Sequence, residues 1–182
     1  MFHNIRTKTL ILFTITCLVS CTTVPSKEHP PLQVVSNVDV AKYLGRWYEV
    51  ARYPNWFQEN YYSVTADYEL AIDGSINVIN RCKEGGLDGK LKKAVGTAKI
   101  VDEQTNAKLK VLFYWPFYGN YWIIALGDDY EYAVVSEPKR QYLWIMSRSP
   151  IMKRLQYEKL IKFLAAKYFD TTLLNITPQV KI

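Results

Sequence analysis

Gly45-Arg46-Trp47-Tyr48-Glu49-Val50-Ala51-Arg52 reads as a strand opened by a glycine and an inward-facing tryptophan. Alternation places Trp47, Glu49 and Ala51 on one face and Tyr48, Val50 and Arg52 on the other. Glu49 is the oddity. A mid-strand carboxylate on the tryptophan's side is either a solvated or hydrogen-bonded polar group of an interior, or a sign that the alternation slips there. A single helical turn over 38–44 leads in, with Asp39 as its N-terminal carboxylate.

Short strands follow at hairpin spacing. The run 62–70 turns Val64, Ala66 and Tyr68 inward, Asp73-Gly74 is a hairpin signal, and 76–82 follows. Gly85, Gly86 and Gly89 mark a loop before 94–101. After Asn106, Leu109, Val111 and Phe113 alternate with Lys108, Lys110 and Leu112. An aromatic loop over 114–120 leads to strands at 121–126, 132–136 and 141–147. This pattern predicts an all-β fold, an eight-stranded antiparallel up-and-down barrel. A β-sandwich competes, but every connection is short enough to join adjacent strands. Beyond Pro150 the period changes. Tyr157, Leu160, Ile161, Leu164 and Tyr168 form one apolar stripe, predicting a C-terminal α-helix packed outside the barrel, with one more short strand within 169–176.

Upstream, Arg6 and Lys8 precede an apolar run from Leu10 to Val19, the layout of a signal peptide over 1–20 and too short to span a bilayer. Leu18-Val19-Ser20-Cys21 resembles a bacterial lipobox, which implies cleavage before Cys21 and its acylation. Thr22 at the next position favours an outer-membrane, periplasm-facing address. Cys17 then leaves with the leader and Cys82 stands alone, so no disulfide forms within the mature chain. Residues 21–37 read as the lipidated N-terminus and an extended tether carrying Pro25, Pro30 and Pro31, and 38–182 as the barrel domain. Seventeen such residues reach roughly 55 Å at most.

The net charge of +6 loses Arg6 and Lys8 with the leader, leaving 21 basic residues against 17 acidic ones. They are interspersed rather than clustered, which argues against a nucleic-acid partner. Fourteen Tyr and five Trp suit large apolar walls.

In an eight-stranded meander the start of the first strand, the turn before the seventh and the end of the eighth share one end. That end collects Gly45, Trp47, Asp129, Tyr130 and Arg148, where an arginine stacked on a tryptophan closes one mouth. Gly45-Arg46-Trp47, Gly127-Asp128-Asp129-Tyr130 and Arg148, in that order, resemble the three motifs of the lipocalin family, although the second lacks the usual threonine. The longer segments 45–52, 116–119 and 142–150 are similar to the bacterial lipoprotein lipocalins, and to apolipoprotein D and plant temperature-induced lipocalins.

The resemblance implies that the barrel binds a small hydrophobic ligand, a fatty acid or lysophospholipid. Strand parity supplies the candidate lining: Ala66, Tyr68, Val78, Asn80, Ala98, Leu109, Val111, Phe113, Tyr121, Ile123, Val135, Trp144 and Met146. A solid, filled core is the alternative for all of them. Trp56, Phe57, Trp115, Phe117 and Tyr118 are placed at the opposite mouth, where rim aromatics suit contact with lipid. No metal or cofactor is expected. His3 and His29 both precede the barrel, so Cys82 is the one candidate nucleophile for a lipid-modifying enzyme, and a passive role is favoured for it. A structural outer-membrane lipoprotein is a third reading, and a homodimer is left open.

Overall fold

Eight antiparallel strands, each paired with its sequence neighbour, close into a barrel in the computed structural model, which describes residues 29–180. They are β1 (Gly45–Arg52), β2 (Tyr61–Leu70), β3 (Ile76–Glu84), β4 (Lys90–Ile100), β5 (Lys108–Tyr114), β6 (Phe117–Leu126), β7 (Tyr132–Ser136) and β8 (Leu143–Ser147). Closure falls to β1, whose Trp47 lies opposite Ala66 of β2 and whose Tyr48 lies opposite Ser147 of β8. α1 (Val40–Tyr43) sits at the entrance to β1, with the Asp39 carboxylate accepting from the Lys42 N–H. α2 (Arg154–Ala166) follows β8, and β9 (Asn175–Ile176) pairs with Ala51 and Arg52 where β2 has left β1.

Burial separates two apolar clusters, as alternation along barrel strands requires. The inner cluster holds Trp47, Ala66, Tyr68, Ile76, Val78, Ala98, Leu109, Ile123, Ala133 and Met146. The second lies between wall and helix, where Leu160 and Leu164 of α2 cover Ala51, Ile124, Val134, Leu143 and Ile145. The helix is therefore the lid of an outer core, and its basic side chains remain on the solvent side.

The parity of β1 slips where Glu49 hinted. The pairing with β8 runs from Glu49 opposite Met146 directly to Ala51 opposite Ile145, so Val50 is the extra residue of a bulge. Ala51 consequently joins the outer cluster, and Arg52, expected outside, turns inward opposite Trp144. A second bulge at Ile124 lets Ile124 and Ala125 both pack under α2 while Ile123 and Leu126 stay inside.

Several expected boundaries move. β4 begins at Lys90 rather than 94, because Lys90 to Lys93 carry no apolar alternation at the rim yet still pair with β3. β6 begins at Phe117, so the aromatic loop shrinks to Trp115-Pro116 between two paired strands. Tyr168 falls past the end of α2 with φ 66°, and Phe169 takes its place in the outer cluster. The final strand contracts to Asn175–Ile176.

Cys21 and the leader lie outside the described residues. The described part of the tether is extended but not free. The Pro30 carbonyl accepts from Arg140, Leu32 is buried in the outer cluster, and the Val35 N–H donates to Ile123 O. The apolar residues Leu32, Val34 and Val35 drive this docking.

Candidate functional site

The barrel floor is built on Trp47, which is fully buried and donates its indole N–H to Tyr43 O at 2.9 Å. The Arg148 guanidinium lies 3.9 Å above the indole ring and donates to the carbonyls of Lys42, Tyr43 and Arg46. It also donates to Tyr130 O, while the Tyr130 hydroxyl accepts from the Asp39 N–H at 2.7 Å. Gly45 is required here. Its φ is +87°, and a Cβ would stand 3.4 Å from Arg148 Nη1. Asp129 is exposed. Arg148 pins α1, the start of β1 and the β6–β7 turn together, and burial lowers its pKa without costing its charge.

Above this plug stand three tyrosines. Tyr121 Oη lies 2.8 Å from Tyr43 Oη and 2.9 Å from Tyr68 Oη. Burial raises the phenol pKa of all three, Tyr68 to about 12. Tyr53, under α2, is likewise pushed to about 12 by burial. These folded values exceed the unfolded value of about 10, so the associated stability is complete below pH ~10 and is lost as pH rises towards ~12. In an alkaline titration, phenolate absorbance and loss of near-ultraviolet circular dichroism should therefore rise together over that range. Ionisation that precedes unfolding would contradict the buried assignment.

The predicted lining residues share the inner face. Ala66, Tyr68, Val78, Ala98, Leu109, Ile123, Val135 and Met146 are buried, and Val111, Phe113, Tyr121 and Trp144 are partly buried against the same cluster. Asn80, opposite Ala66, is also partly buried. The gradient has a direction. Near the floor Ala98, Leu109 and Met146 are sealed and only Tyr121 of the lining keeps accessible surface, while Asn80, Val111, Phe113 and Trp144, nearer the other end, all keep some. Gly96 and Gly119 also lie on inner-face positions, and a Cβ at Gly96 would strike the Phe113 ring at 2.7 Å.

The upper interior holds a polar network of which the sequence disclosed only Glu49, as a hydrogen-bonded interior carboxylate. Glu49 is 1% exposed. Its carboxylate accepts from Arg52 at 2.6 Å, Thr177 Oγ1 at 2.5 Å and Gln58 Nε2 at 2.8 Å, and Gln58 in turn accepts from the Trp144 indole N–H. Gln179 Nε2 donates to Glu49 O and Val64 O, and the Ser63 N–H donates to Pro178 O. The C-terminal segment is thus wedged into the seam where β1 and β2 part. Tyr43 could have been suspected as the aromatic residue that ends the lead-in turn just before Gly45. Arg52, Gln58, Thr177 and Gln179 carry no such signal.

At the open end, Trp56 and Phe57 occupy a 3-10 turn, and Phe57 packs on Tyr142 and Trp144. Trp56, Trp115 and Phe117 are each more than three-quarters exposed. Tyr118 is a correction: it pairs with Leu112, out of phase with the inner pair Val111 and Gly119, so it belongs to the outer wall. Cys82 is a buried inner-face thiol whose pKa is raised by burial and by the carboxylates of Glu84 and Glu49. Grooves of ≈ 360 and ≈ 410 Å³ flank α2 outside the barrel and include none of the predicted lining residues.

Residues 38–179 match the family model described as a lipocalin-like domain. The outer membrane lipoprotein Blc of Vibrio cholerae serotype O1 is 39% identical over 172 residues, spanning 92% of this chain and 98% of that one. Temperature-induced lipocalin-1 of Arabidopsis thaliana is 36% identical over 161 residues, 84% of this chain and 85% of the plant protein. Among solved structures, insecticyanin from the tobacco hornworm Manduca sexta superposes with a TM-score of 0.69 over 85% of this chain and 87% of its own, at 18% identity. A closed antiparallel barrel, plugged at one end by a stacked tryptophan and arginine and matched nearly end to end by these relatives, identifies the chain as a member of the lipocalin family.

Proposed function

We infer that this lipocalin binds and carries a small hydrophobic ligand, a fatty acid or lysophospholipid, inside the barrel. The observation that carries the reading is the graded interior: a sealed floor below an apolar inner face that keeps accessible surface towards the open end. Apolar walls with a few convergent polar groups are the usual composition of such sites. The name of the Vibrio relative, an outer membrane lipoprotein, supports a bacterial outer-membrane address; acylated Cys21 is then the anchor, with the barrel on the periplasmic side.

The exposed aromatics at the open end suit contact with the membrane from which the ligand is taken. Wild-type protein incubated with phospholipid vesicles containing a fatty acid should acquire a lipid-bound mass in native mass spectrometry. The variant W56S/F57S/W115S should acquire it several-fold more slowly. Equal rates would sink the membrane-docking role, and wild-type protein that never acquires lipid would sink the carrier itself. A Cys82-based lipid-modifying activity has less support, because its surroundings disfavour the thiolate that such chemistry needs.

A further inference from the structure

The three floor tyrosines have a surplus proton. Three phenols bring three O–H protons, but they share two hydrogen bonds, Tyr43–Tyr121 and Tyr121–Tyr68. However the donors are assigned, one O–H is left over, and among the described residues none of the three hydroxyls has another hydrogen-bond partner. A buried donor without an acceptor is costly, and such groups are normally satisfied by something. Tyr43 and Tyr68 are each 5% exposed, whereas Tyr121, the shared centre, keeps accessible surface. Arg148, behind this trio, donates to backbone carbonyls and forms no salt bridge among the described residues. Its positive charge is therefore not neutralised by a carboxylate among the described residues.

We propose that the trio is a headgroup site, at which Tyr121 donates its hydrogen to the carboxylate of a fatty acid that enters head first. The ligand selects one of the possible proton arrangements. Tyr43 and Tyr68 both donate to the Tyr121 oxygen, which polarises the Tyr121 O–H towards the ligand. The raised phenol pKa values keep all three groups as donors at neutral pH. The unneutralised Arg148 favours an anionic head over a neutral one, and the alkyl chain then runs up past Val111, Phe113 and Trp144.

This inference rests on the carrier reading, and the test separates the two. The variant Y43F/Y68F/Y121F removes all three hydroxyls together, leaving no orphaned partner, a kind of change that is close to neutral for stability. Binding of a medium-chain fatty acid and of the alkane of equal length is measured for both proteins. Wild type should prefer the acid, and the triple variant should lose about 10-fold in affinity for it, the worth of one hydrogen bond to a charged acceptor, while binding the alkane unchanged. Acid binding that is unchanged in the variant overturns the headgroup site and leaves the carrier standing. Failure of wild type to bind either compound overturns both. Should the variant not fold, wild-type protein with a fatty acid labelled with carbon-13 at its second carbon decides the matter. Nuclear Overhauser contacts from that carbon's protons to the Tyr121 ring support head-first entry, and contacts to Trp144 instead overturn it.

Discussion

Trp47→Ala is expected to destabilise the barrel by about 3–5 kcal/mol, the range for truncating a fully packed aromatic residue. Trp47 has no exposed surface, and its neighbours cannot easily collapse into the space it leaves. The Tyr43 ring lies against it, tilted by 35° with centroids 5.0 Å apart, and is itself held by Tyr121, while Arg148 is fixed above the indole by bonds to three carbonyls of α1 and β1. Truncation also removes the cation–π contact and the N–H bond to Tyr43 O, so the loss should fall towards the upper end of the range. Urea unfolding followed by circular dichroism measures it. A loss below about 1.5 kcal/mol would show that the floor does not depend on this residue.

The same residue shows why so much of the fold was legible. Gly45, Trp47 and Arg148 are hard to substitute for geometric reasons: a positive φ, a large ring in a closed end, and a planar fork that reaches several carbonyls at once. Such requirements stamp residue identities on the chain, and the strand count and the outer helix follow from simple periods. What was not legible depends on events that break periods. Glu49 marks the place as odd, but nothing in Glu49-Val50-Ala51 says that Val50 is the residue that bulges, and that one extra residue exchanges the sides of Ala51 and Arg52. Lys90 to Lys93 lack alternation because both faces of a barrel rim are wet. The wedge of Thr177 and Gln179 joins residues over 110 positions apart through single hydrogen bonds, and single bonds between distant positions leave no pattern.

That wedge bears on the second large effect. Glu49→Ala is expected to cost about 3–5 kcal/mol, because it leaves a buried arginine without its counter-ion. The Arg52 side chain is 12% exposed and the Glu49 side chain 1%, so solvent cannot take over the lost partnership. Gln58 and Thr177 lose their acceptor in the same step. The double variant E49L/R52M removes both charges and replaces them with apolar groups, and it should cost clearly less than Glu49→Ala alone, since much of the single-variant loss is the stranded charge rather than the worth of the pair. Amide exchange gives a local readout. The Thr177 N–H donates to Val50 O and the Ser63 N–H to Pro178 O, so both should exchange faster in Glu49→Ala if the carboxylate holds the C-terminal segment in the seam. A double variant as damaged as the single one, with Thr177 and Ser63 still protected in both, would mean that the backbone bonds alone hold the seam and that Glu49 belongs to the interior chemistry instead.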